Sequence, residues 1–128
     1  MREIQAVDLG KTIKAILQAQ NHIQWKLGKE NPHLVKRIRL GHLPENATIG
    51  EYKELIGQVL TNSKAKIYIY LYESTIYPTI TLIIKEKLWL VMIGIDGILE
   101  TAFPPENPSN YLSNPSFTYI GRLEELLK

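Results

Sequence analysis

The chain has 128 residues, 45% hydrophobic and 22% charged, a balance that supports a buried core and is unlike that of a disordered tail or a fibre. It contains no cysteine, which excludes disulfides, thiolate catalysis, iron–sulfur clusters and cysteine zinc sites. The formal net charge of +2 is too small to argue by itself for a polyanionic partner.

A helix capped by Asp8 is expected through Leu27, because Ile13, Ile16, Leu17, Ile23 and Leu27 fall in one narrow arc and Gly28 follows as a stop. His22 lies off that arc and faces solvent or a cleft. The segment from Asn31 to Asn46 predicts a short helix with Pro32 in its first turn and Leu34, Val35 and Ile38 inside, ended by Gly41 and Pro44. Between Lys26 and Arg39 five basic residues stand against Glu30 alone, so Lys36, Arg37 and Arg39 are candidate phosphate contacts or, on the plainer reading, a solvated face. Thr48 with Glu51 forms a capping box for a third helix, which buries Tyr52, Leu55, Ile56, Val59 and Leu60 and closes at Thr61 and Asn62.

After residue 64 the apolar period changes from helical to two. Lys66–Glu73 sets Ile67, Ile69 and Leu71 against Tyr68, Tyr70 and Tyr72, and a second strand from Thr79 follows a turn containing Tyr77 and Pro78. Asp96-Gly97 is the strongest hairpin signal and joins residues 88–95 to 98–103 in antiparallel fashion, with Leu99, Thr101 and Phe103 on one strand face. Pro104, Pro105 and Pro108 then forbid ladder pairing, and the last residues form a short strand or a helical turn packed on the sheet. The expectation is one α+β domain over 1–128, helical over 8–62 and sheet over 64–122, its N-terminal helices packed on a C-terminal antiparallel β-sheet. No apolar stretch reaches the ~18 residues of a membrane span. With no signal-peptide pattern, the expected setting is the cytoplasm, or a secreted toxin module released from a larger system.

Three residues with chemical potential, His22, His33 and His42, fall within a short window, and no other histidine is present. Two imidazoles in different protonation states can take a proton from a ribose 2′-OH and return one to the departing 5′-oxygen, with no metal or cofactor. The competing readings are scattered surface histidines and, more weakly, a zinc site, because spacings of this length do not set ligands on successive helical turns. Thr101 offers a hydroxyl for a nonbridging phosphate oxygen, and Tyr77 and Tyr111, read as projecting from Pro-rich loops, are candidates for stacking on a base.

His22-Ile23, the Gly-containing loop after it and His33-Leu34 resemble the paired-histidine region of bacterial EndoU-type ribonuclease domains. The Asp96-Gly97 turn with Thr101-Ala102-Phe103-Pro104 is similar to the terminal G-x-x-x-T-A-[YF]-P strand of that family. The resemblance implies the broader barnase/EndoU/colicin/RelE-like nuclease fold, often deployed as interbacterial toxins, with His22 and His33 as acid and base and Thr101 as the phosphate-contacting hydroxyl. His42 has no counterpart in the pattern and stands as an alternative partner for His33. The function expected is metal-independent cleavage of single-stranded RNA through 2′-OH attack, giving a 2′,3′-cyclic phosphate, with an inhibitory immunity protein as a further partner. The alternative is a noncatalytic RNA- or protein-binding domain of the same fold.

Overall fold

The computed structural model describes residues 4–127. The ends of the 1–128 span, residues 1–3 and 128, lie outside the described residues. Three helices precede the sheet: α1 (Ala6–Asn21), α2 (Glu30–Arg39) and α3 (Ile49–Thr61).

Helix α1 is capped by Gln5, whose backbone N–H donates to the Asp8 carboxylate at 2.9 Å, so Asp8 stands in the first turn and not at the cap. It ends at His22 and not at Leu27. The chain there turns extended, Leu99 N donates to Gln24 O at 2.8 Å, and Trp25 bridges Leu99 in parallel. This pairing outweighs the helical spacing of Ile23 and Leu27, and Leu27 ends fully exposed. The buried face of α1 is Asp8, Thr12, Ala15, Ile16 and Ala19, small enough for close approach to the sheet. Helix α3 has the capping box expected of it, with Glu51 N donating to Thr48 Oγ1 and Thr48 N to Glu51 Oε1.

Strands β1 (Lys66–Tyr72), β2 (Thr75–Ile84), β3 (Lys87–Ile93), β4 (Leu99–Phe103) and β5 (Phe117–Arg122) form an antiparallel sheet of order β4-β3-β2-β1-β5. The β3–β4 hairpin lies where Asp96-Gly97 placed it. The β1–β2 and β2–β3 connections are two-residue loops without glycine: Glu73-Ser74 and Lys85-Glu86 all take positive φ, as the tight hairpin turn demands. Tyr77 and Pro78 therefore lie inside β2 rather than in a turn. Pro78 pairs with Ile69 on one side and precedes Thr79, where the β3 ladder begins, so its missing N–H breaks no β3 bond.

A bulge decides the facing of β4. Ile93 pairs with Leu99 but Met92 pairs with Thr101, leaving Glu100 as the extra residue. Leu99 and Ala102 consequently both face the helices, while Thr101 and Phe103 face away. This corrects the reading that Leu99 and Thr101 share a face. The core between helices and sheet is built from Ile16, Tyr52, Ile56, Ile67, Trp89 and Leu99 with their neighbours. Each fully buried aliphatic side chain contributes ~1.5–3 kcal/mol as an upper estimate.

Because β4 and β5 are opposite edges, residues 104–116, with α4 (Pro108–Leu112), must cross the far face of the sheet. There Tyr111 packs against both Phe103 and Phe117, at 5.5 and 5.6 Å between centroids. The C-terminus is both a strand and a turn of helix: β5 runs into α5 (Leu123–Leu126), and Leu123 enters the core. No helix among the described residues is long and apolar enough to cross a membrane.

Gly97 tests the packing of the hairpin on α1. Its φ is +81°, and an added Cβ would lie 2.8 Å from Gln18 Cγ and 3.1 Å from Ala15 O. Gly97→Ala should destabilise by about 2 kcal/mol in chemical denaturation, from backbone strain and overlap together. An unchanged midpoint would mean that the turn does not seat on the helix.

Candidate functional site

Helix α2 turns Leu34, Arg37 and Ile38 toward the protein and leaves Lys36 and Arg39 outside. The basic stretch is thereby split: Arg39 borders a shallow hollow with Pro32 and Val35, whereas Arg37 is 4% exposed. The Arg37 guanidinium lies over the Phe103 ring at 5.5 Å, and its Nη1 donates to His42 Nδ1 at 3.2 Å. Its Nε is buried with no hydrogen-bond partner, and no carboxylate among the described residues pairs with it. Burial pulls its pKa down from the ordinary guanidinium value, and a guanidinium in a protein keeps its charge. A buried cation without a counter-ion is costly, and natural chains hold buried charges in pairs.

His42 follows α2 and is held twice by Arg37: its backbone N–H donates to Arg37 O at 2.8 Å, and its ring accepts from the guanidinium. A guanidinium only donates, so Nδ1 carries the lone pair and the neutral ring carries its proton on Nε2. Burial lowers the His42 pKa, and the charges of Arg37 and Lys87 add to the effect. Arg37, His42, Lys36, Lys87 and Phe103 line an open cavity of about 790 Å³ together with the carboxylates Glu86 and Glu106.

His33 lies on the same helix one turn before Arg37. Its ring stacks on Trp25 at 4.4 Å, and its Nδ1 is buried without a partner. Burial, then Arg37, Lys36 and Lys29, lower its pKa, so it is neutral at pH 7. Trp25 in turn packs against Tyr52, whose hydroxyl donates to Ala102 O and so ties α3 to β4 beside Thr101 and Phe103.

The structure thus brings Arg37 and His42 together and sets His33 one helical turn from Arg37, whereas neither His33 nor Thr101 is among the residues lining the Arg37 cavity, and among the described residues no two of the three imidazoles touch. His22 is exposed at the end of α1. Thr101 is half-buried and makes no side-chain hydrogen bond among the described residues. Tyr77 packs on Tyr70 within the sheet, and Tyr111 sits in α4 between Phe103 and Phe117, so neither projects freely from a loop. No group of three histidine, aspartate or glutamate side chains able to hold a metal occurs among the described residues. Sequence reasoning did not single out Trp25 or Lys87, and it named Phe103 as part of the Thr101-Ala102-Phe103-Pro104 motif without giving its ring a role. It had a signal for the burial of Arg37, which shares the inward helical phase of Leu34 and Ile38.

The two lowered imidazole pKa values have a stability consequence. The unfolded chain binds more protons at His33 and His42 than the folded chain does, so stability rises with pH through this range. Stability should fall as pH drops from about 7 to 5, and His33→Gln should flatten the slope of melting temperature against pH. An identical slope in the variant would mean that His33 is not desolvated.

No protein-family model, curated protein or solved structure matches the chain.

Proposed function

We propose that the chain is a metal-independent endoribonuclease of EndoU/barnase-like fold that takes single-stranded RNA across the Arg37 cavity. The observation that carries this reading is Arg37 itself, a buried cation that no carboxylate among the described residues pairs with, at an open cavity where Lys36 and Lys87 stand beside Glu86 and Glu106. A phosphodiester supplies the missing anion, with the bidentate geometry that a guanidinium prefers. His33, neutral at pH 7, takes the proton of the 2′-OH. The O2′ then attacks phosphorus, the bond from phosphorus to O5′ breaks, and the proton that His33 took up is returned to O5′, directly or through water. His42, neutral and accepting from Arg37, orients the guanidinium toward the phosphate, and Thr101 serves a nonbridging oxygen. Such an enzyme is toxin-like, and an inhibitory immunity protein would cover the cavity.

A second reading, RNA binding without cleavage, is favoured by the separation of the imidazoles and by the stacking of His33 on Trp25. One experiment separates the two. Purified protein incubated with single-stranded RNA in excess chelator should cleave it to 2′,3′-cyclic phosphate ends and spare DNA of the same sequence, which lacks the attacking hydroxyl. Retention of intact RNA would leave the binding reading. Activity lost to chelator and restored by zinc would overturn the metal-independent mechanism.

A further inference from the structure

A second cavity, of about 460 Å³, adjoins the Arg37 cavity and shares His42 and Lys87 with it as a common wall. Its floor is apolar, with Leu55, Ile84 and the almost fully buried Trp89. The opposite wall is one face of α3, where Glu51, Glu54 and Gln58 recur at helical spacing. Glu51 has one carboxylate oxygen committed to the capping box. Glu54 is exposed and forms no ion pair with Lys85 or Lys87, and Gln58 makes no side-chain hydrogen bond, among the described residues. Two contiguous concavities thus differ in chemistry: the first holds Arg37 with Lys36, Lys87, Glu86 and Glu106, and the second has an apolar floor with Glu51, Glu54 and Gln58 along α3 and Lys85 and Lys87 also lining it.

We propose that the second cavity receives the base of the nucleotide whose phosphate Arg37 holds, and that it selects bases carrying an exocyclic amine over uracil. The proposal rests on the phosphate reading of the Arg37 cavity. A ligand that fits both halves is anionic at one end and at the other is flat, apolar on its faces and lined with N–H donors. That is the description of an amino-bearing nucleotide. Carboxylates such as Glu54 accept from the amine of adenine, cytosine or guanine. The Watson–Crick edge of uracil has one N–H between two carbonyl oxygens, and those oxygens repel a carboxylate. Gln58, one turn from Glu54, supplies an N–H to a neighbouring ring nitrogen or carbonyl. The volume lies within the ~300–1,000 Å³ of small-molecule sites.

Calorimetric titration of the full chain with inorganic phosphate and with each of the four nucleoside 3′-monophosphates tests both levels. The expected result is measurable phosphate binding, and affinity for the adenosine, cytidine and guanosine nucleotides about tenfold or more above that for uridine monophosphate. Glu54→Ala, at an exposed position, should bring the four nucleotides within about twofold of one another if the carboxylate is the discriminating group. Circular dichroism checks that the variant is folded. Phosphate binding with equal affinity for all four nucleotides, a preference for uridine monophosphate, or a preference that survives Glu54→Ala would each overturn the base-pocket proposal and leave the phosphate reading standing. Failure of phosphate and of every nucleotide to bind would overturn both.

Discussion

Arg37→Met should bind RNA about 100-fold more weakly than the parent chain and yet melt at the same temperature or higher. The two signs follow from one observation. A guanidinium buried with an unpartnered Nε and no carboxylate carries an uncompensated desolvation cost, and apolar residues of similar volume in place of buried ionic groups are often neutral or stabilising by ~1–4 kcal/mol. Against this stand the loss of the contact over Phe103 and the loss of the hydrogen bond to His42, each worth ~1 kcal/mol. These losses roughly offset the relief, and methionine keeps the packing of the stem. The RNA side has no such offset, because the charge that meets phosphate is gone, and the salt dependence of binding should flatten with it. Thermal unfolding and a salt titration on the same preparation check both. A large fall in melting temperature with unchanged RNA affinity would make Arg37 a structural group and remove the basis of the functional reading.

His33→Ala should slow RNA cleavage by at least about 100-fold, since a positioned acid or base commonly contributes 10²–10⁴. The variant also loses the stacking partner of Trp25, so His33→Gln, which keeps bulk and polarity, accompanies it, and circular dichroism establishes that both are folded. His42→Ala should approach the same loss and His22→Ala should not, because His42 contacts the Arg37 guanidinium and His22 is exposed at the end of α1. Thr101→Val keeps the β-branched shape and removes only the hydroxyl, so a smaller loss with an unchanged melting temperature is expected. Equal, undiminished cleavage by all four alanine and valine variants would place any chemistry elsewhere. Absence of cleavage in the parent chain leaves a binding protein, in which Arg37→Met keeps its predicted effect.

Much of the architecture was legible from local chemistry. The Thr48–Glu51 capping box is a matter of four residues, and it set the start of α3 correctly. The change of period after residue 64 marked the passage from helices to sheet, and Asp96-Gly97 placed a hairpin because glycine alone takes φ of +81° without strain. Other local signals misled. The hairpin loops at Glu73-Ser74 and Lys85-Glu86 use charged and polar residues at positive φ, so the turn near Tyr77-Pro78 looked stronger on paper than the turn the strand pairing imposed. The apolar spacing of Ile23 and Leu27 is that of a helix, but the extended Gln24-Trp25 segment gains backbone pairing with Leu99, a partner far along the chain.

The candidate site divides along the same line. Composition and sequence by themselves determined that the chain has no thiol chemistry, that its histidines are confined to one window, that its cations gather around α2, and that helices precede an antiparallel sheet. Those are properties of residue type and short-range spacing. Tertiary structure alone decided which histidine meets a cation, which face of β4 carries Thr101, and that one of three neighbouring cations is buried while the others stay in water. The bulge at Glu100 needs β3 beside it, the burial of Arg37 needs Phe103 beneath it, and the joined cavities need α3 and the β2–β3 hairpin to close on the loop at His42. Each of these depends on contacts between residues distant in sequence, whose free energy appears only once the core has assembled.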